Sequence, residues 1–144
     1  MALHSPIVAL TADEAWQLLG TVSVGRLATA VGGQPDIFPV NFVVHDGSIV
    51  FRTAEGSKLV QVILNAAVAF EADSWSGGTG WSVVVKGTAH EVTGSDELAE
   101  LERLPLRPWV PTVKTHVIAV VADEITGRRF AFGEEPEAEP EYTS

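Results

Sequence analysis

Apolar residues fall into short alternating runs that predict strands, interrupted by glycine-rich turns and by a few stretches with helical spacing. The first such stretch is helical. In Thr11-Ala12-Asp13-Glu14 the Thr11 hydroxyl can accept from the N3 amide while Glu14 reaches back, a capping box. Ala15, Trp16, Leu18 and Leu19 continue it as an amphipathic helix ending at Gly20. Val22–Val31 and Ile37–His45 are β-rich runs, and the Gly32-Gly33-Gln34-Pro35 between them reads as a hairpin turn. Asp46-Gly47 is a second hairpin signal and leads into Ser48–Thr53. Three strands of a meander follow from this pattern.

Gly56-Ser57 breaks the strand pattern, and Lys58–Asn65 then places Leu59, Val62, Ile63 and Ala66 at helical spacing behind Ser57 as N-cap. Val68–Trp75 and Trp81–Val92 are two further strands, joined by a flexible Ser76-Gly77-Gly78-Thr79-Gly80 loop. Ser95–Leu104 reads as a short acidic helix capped by Ser95, and Pro105 to Pro111 as a proline-rich connection. The last strands are Val113–Val121 and Arg128–Phe132, around an Ile125-Thr126-Gly127 turn. About seven strands with two or three short helices describe a mainly β protein, an antiparallel barrel with peripheral helices. The pattern predicts one domain over residues 1–133 and reads Glu/Pro-rich residues 134–144 as a disordered acidic tail.

Composition narrows the function. With 144 residues one core is the default, and no apolar run reaches the ~20 residues of a membrane span. There is no cysteine, which excludes disulfides, thiolate metal sites and Cys nucleophiles together. The start has no basic region and no small-residue cleavage site after an apolar stretch, so it does not read as a signal peptide and a cytoplasmic location is expected. A net charge of −10 repels polyanions, so nucleic acid and anionic membranes are poor partners. A small phosphate differs, since a few local cations can hold it. Arg26, Arg52 and Lys58 all fall in the first sixty positions.

The richest segment for chemistry is Phe51-Arg52-Thr53-Ala54-Glu55-Gly56-Ser57-Lys58-Leu59. A strand ends in a cation and a hydroxyl, turns through glycine, and enters a helix whose N–H groups attract anions. Arg52 can bind a phosphate bidentately, Thr53 and Ser57 add hydroxyls, and Lys58 adds a point charge. Four donors on one turn suit a terminal phosphomonoester. An exposed strand end followed by an ordinary Ser N-cap explains the same residues, and local spacing leaves both readings open.

Four segments, taken in order, extend this. Gly25-Arg26-Leu27-Ala28-Thr29, Pro39-Val40-Asn41-Phe42, Phe51-Arg52-Thr53 with Gly56-Ser57-Lys58, and Trp81-Ser82-Val83-Val84-Val85-Lys86-Gly87 resemble the pyridoxamine 5′-phosphate oxidase-like family. The likeness covers about residues 10–132 and is nearest the branch of nitroimidazole-resistance-type flavin proteins. It implies the FMN-binding split β-barrel, dimeric, with a flavin at each end of the subunit interface. Carried over, Arg52, Thr53, Ser57 and Lys58 match the phosphate-binding strand–turn–helix. Pro39, Val40, Asn41 and Phe42 match the strand whose backbone runs along the isoalloxazine ring. Ser82, beside Trp81, matches a polar position that reaches the partner subunit's flavin, and Trp109 lies where relatives cover the ring. Arg128-Arg129 does not match the substrate-phosphate arginines of true pyridoxamine phosphate oxidases and reads equally as an exposed pair.

The resemblance therefore implies an FMN-dependent oxidoreductase for a small apolar or aromatic substrate, with no catalytic acid or base required. Two rivals are a reductase using a deazaflavin coenzyme (the F-420 type) and a non-catalytic flavin or small-ligand binding protein. His45, His90 and His116 are dispersed without metal-ligand spacing and read as solvated strand histidines. Trp16 reads as packing its helix onto the barrel, and Trp75 and Trp81 as core or pocket wall. Asp96, Glu97, Glu100 and Glu102 read as a solvated helix face.

Overall fold

The computed structural model describes residues 6–54, 58–104 and 115–132. Ser57, Trp109, the Pro105–Pro111 connection and the 134–144 tail lie outside them.

Short turns decide how the strands pair. β2 (Val24–Val31) and β3 (Gln34–His45) meet through Gly32-Gly33 alone, with φ of 61° and 76° and Val31 opposite Gln34. β3 reaches β4 (Ser48–Ala54) through Asp46-Gly47, with φ of 48° and 70°. β5 (Ala67–Ser76) reaches β6 (Thr79–Glu91) through Gly77-Gly78, with φ of 61° and 88°. Positive φ at both turn residues gives the twist that lets two-residue hairpins close. The expected turn and loop at Gly32–Pro35 and Ser76–Gly80 are therefore shorter, and their flanking residues belong to the strands.

Two other elements differ from the sequence reading. β1 (Ile7–Ala9) was not foreseen; it pairs with the end of β7 (Thr115–Ala131). β7 is one continuous strand, with no turn at Ile125-Thr126-Gly127, because those residues pair with Val85, Val84 and Val83. Gly127 is needed for closeness instead: a Cβ there would meet Leu10 Cδ1 at 2.8 Å. The strand order β1-β7-β4-β3-β2-β5-β6, with β6 also pairing β7, closes an antiparallel ring to which β1 is appended.

The helices dress this ring. In α1 (Ala12–Leu19) the Thr11–Glu14 capping box is present, Ala15 and Leu19 enter the core, and Trp16 packs against it. Gly20 ends the helix in right-handed geometry, so the position does not use glycine's freedom. α2 (Lys58–Ile63) delivers Val60 and Ile63 to the same core. α3 (Ser95–Glu102) is capped at Gly94, not Ser95, with no side-chain cap bond. It seals a second, smaller cluster of Val50, Val92, Leu101, Val117 and Ala119 on the outside of the ring. No helix among the described residues is long and apolar enough to cross a membrane.

One irregularity positions the site. β3 and β4 pair only from Phe42–Phe51 to His45–Ser48. Beyond that β3 stays with β2 as far as Gln34, whereas β4 stays with β7 as far as Ala54. The two strands part between Asn41 and Arg52, and the barrel is split there.

Candidate functional site

Alternation along β4 turns Ile49 and Phe51 into the barrel core and Val50 and Arg52 outward. Arg52 sits opposite Val117 and is half-buried. Its Nε is shut off from solvent and has no hydrogen-bond partner among the described residues. A buried guanidinium N–H left unpaired costs more than most side chains tolerate. Such a group fits an incoming acceptor, and a phosphate is one of the two acceptors, with carboxylate, that match guanidinium geometry bidentately. Thr53 points to the other face of β4, opposite His116. The structure thus does not gather all four expected donors on one face: Arg52 and Thr53 diverge, α2 begins at Lys58, and Ser57 lies outside the described residues.

Across the split lies β3. Val40 and Phe42 are buried in the core, where Phe42 meets Phe70 edge-on at 4.6 Å. Their side chains are structural. Pro39 and Asn41 point outward, and among the described residues no strand pairs with this stretch of β3 on its β4 side. A flat heterocycle can meet that free edge, whose backbone donors and acceptors no neighbouring strand takes.

On the same outer face, Arg26 is opposite Pro39 and Glu71. Its Nη1 donates to Glu71 Oε1 at 3.0 Å and to Asp73 Oδ1 at 3.2 Å. Of the three early cations, Arg26 is thus already engaged. Burial, followed by the neighbouring Asp73, pushes the Glu71 carboxyl from 4.5 up to about 7. One guanidinium shared by two carboxylates does not offset those effects. Because the folded-state value is raised, ionising Glu71 weakens the fold as pH rises between about 4.5 and 7. Glu71→Gln should therefore gain thermal stability relative to wild type on going from pH 5 to pH 8. Parallel melting temperatures across that range would refute it.

Trp81 is in the core and Ser82 is half-buried on the outer face, opposite Asp73 and Arg128. Trp75, by contrast, is 66% exposed and belongs to neither core cluster among the described residues. Arg128 and Arg129 are exposed, as are Asp96, Glu97, Glu100 and Glu102. The histidines are less isolated than their spacing suggests. His116 Nδ1 lies 2.7 Å from Glu91 Oε2 at one end of the barrel, and His45 meets Asp46 and Glu100. Neither grouping was legible, since strand register and the packing of α3 create both.

A split antiparallel barrel with an arginine at the split defines a class of ligand-binding barrel. The family model described as pyridoxamine 5′-phosphate oxidase matches residues 11–129, and the chain belongs to that family. A structure from Corynebacterium glutamicum, provisionally described under the same oxidase name, is 44% identical, with a TM-score of 0.83 over 92% of this chain and 100% of that one. The FAD binding protein from Mycobacterium smegmatis is 48% identical, with a TM-score of 0.81 over 88% of this chain and 100% of its own. An uncharacterised Mycobacterium tuberculosis protein is 38% identical over 130 residues, 85% of each chain.

Proposed function

We propose that this protein binds a flavin nucleotide at the split, with Arg52 holding its phosphate and the outer edge of β3 meeting its ring. The observation that carries this is the buried Arg52 Nε, which has no partner among the described residues, beside a strand edge that no described strand pairs. Lys58 and Ser57 follow Arg52 closely enough in the chain to join it. Pro39 and Asn41 are the β3 side chains free to touch the ring. When bound, a flavin supplies hydride transfer at its N5, so an oxidoreductase acting on a small apolar or aromatic substrate is the activity we infer. The chain's own contribution is to bind, orient and keep water from the ring.

FMN is the nucleotide the family resemblance favours. A second reading, FAD, is supported by the 48% identical relative described as binding it. Mass analysis of the ligand released on denaturing the purified protein tests the proposal. FMN or FAD supports it and separates the two readings. A deazaflavin would replace the cofactor, and a chain that takes up no flavin when incubated with either would sink the proposal.

We also infer a homodimer. The outer face beside the free β3 edge exposes Ile37 at 68% and Pro39, and the described residues of one subunit leave that edge uncovered. Light scattering should report twice the 15.3 kDa chain mass at micromolar concentration. A flavin-loaded monomer would contradict it.

A further inference from the structure

At the opposite end of β3 from the free edge, His45 closes the strand, Asp46 opens the turn behind it, and Glu100 approaches from α3. His45 Nε2 lies 3.3 Å from Asp46 Oδ2 and 3.3 Å from Glu100 Oε1. One ligand atom from each of the three residues lies within 4.8 Å of the other two. They border a cleft of about 460 Å³ with Val50, Leu101 and Ala119 in its wall. Glu97, one turn before Glu100, lines the same cleft.

A single imidazole N–H cannot aim at two carboxylates with good geometry at once. Among the described residues neither Asp46 nor Glu100 is paired with a lysine or arginine, and the His45 imidazole is the group that lies beside both carboxylates. A divalent cation would satisfy all three. Zinc bonds to nitrogen and oxygen of about 2.0–2.2 Å place tetrahedral ligand atoms roughly 3.3–3.6 Å apart. Both distances from His45 Nε2 match that edge. Imidazole with carboxylates also suits zinc-class ions better than calcium or magnesium, which prefer oxygen alone.

We propose that His45, Asp46 and Glu100 bind a divalent transition-metal ion of the zinc class, with the fourth position facing the cleft and within reach of Glu97. The site is separate from the flavin proposal and stands without it. The ion ties α3, which lacks a side-chain cap, to the β3–β4 turn, and so fastens the cover of the second core cluster.

The test is calorimetric titration of zinc chloride into the untagged full chain after chelator treatment. Saturable binding of one zinc per chain is expected, with a higher melting temperature in its presence. Loss of an outer partner of a metal ligand already weakens binding about 10–100-fold, so His45→Ala and Glu100→Gln should each weaken it at least tenfold. His90→Ala and Glu102→Gln, at exposed residues outside the cluster, should bind as wild type. Glu100 is exposed, so its variant serves even if His45→Ala folds poorly. Absent or unsaturable binding overturns the site, as does an equal loss in the Glu102 variant. Stability that depends on His45 and on pH, without zinc uptake, also overturns it and leaves a protonated-histidine ion pair in its place.

Discussion

Gly87→Ala should destabilise the protein by an amount at or above the upper end of the roughly 1–3 kcal/mol typical of overpacking. A Cβ at Gly87 would lie 2.0 Å from the Val121 carbonyl oxygen and 2.8 Å from its carbon. Both are backbone atoms of β7, which is held on its other side by β4. The register between β6 and β7 shifts between Lys86 and Gly87, where Lys86 faces Glu124 and Gly87 faces Ala122. The bulged strand crosses tightly there, and no side-chain rotation relieves the clash. Gly25→Ala makes a useful comparison. Its Cβ would meet the Phe70 ring at 2.2 Å and the Glu71 carbonyl oxygen at 2.7 Å, but the nearer neighbour is a side chain. It should cost less than the Gly87 change. Urea denaturation of the two variants decides it: a Gly87→Ala protein within about 0.5 kcal/mol of wild type would show that β7 yields.

Arg52→Met should separate binding from stability. The substitution keeps a long apolar stem beside Val117 and removes a buried N–H that has no partner among the described residues. Stability of the ligand-free protein should stay level or rise, because an unsatisfied buried donor is a cost in the empty fold. Flavin nucleotide binding should fall about ten- to hundredfold, the equivalent of the 1.5–3 kcal/mol of a hydrogen bond to a charged group. Riboflavin, which lacks phosphate, should bind wild type and variant equally weakly. Titrations followed by flavin fluorescence measure both ligands. A variant that loses riboflavin and nucleotide alike would make Arg52 a structural residue, and one that keeps nucleotide affinity would move the phosphate elsewhere.

The parts of the fold visible in the sequence are those that local chemistry decides. Thr11 and Glu14 cap α1 as their spacing requires, and Asp46-Gly47 closes the hairpin it signals. Gly127 misled because the sequence shows a glycine but not its reason. Next to Ile125-Thr126 it resembles a turn, yet it is there to admit Leu10 and Val83. β1 escaped notice since three residues hold no periodicity and are fixed only by β7. In the site, Arg52 was legible as a cation at a strand end. That it and Thr53 face opposite ways follows from strand alternation and could have been foreseen. The split between Asn41 and Arg52 could not, because it depends on where β3 and β4 stop pairing.

β7 is the strand that β1, β4 and β6 all wait for. During synthesis, therefore, the earlier strands leave the ribosome before the strand that satisfies the margins of β4 and β6. Only when residue 131 has emerged can the ring shut and the N-terminal strand find its seat. Assembly of this barrel is a late, all-at-once event governed by contacts between distant parts of the chain, which slows folding. Nascent chains halted before Thr115 would carry two sticky borders, a natural target for chaperones and for mispairing with a neighbour.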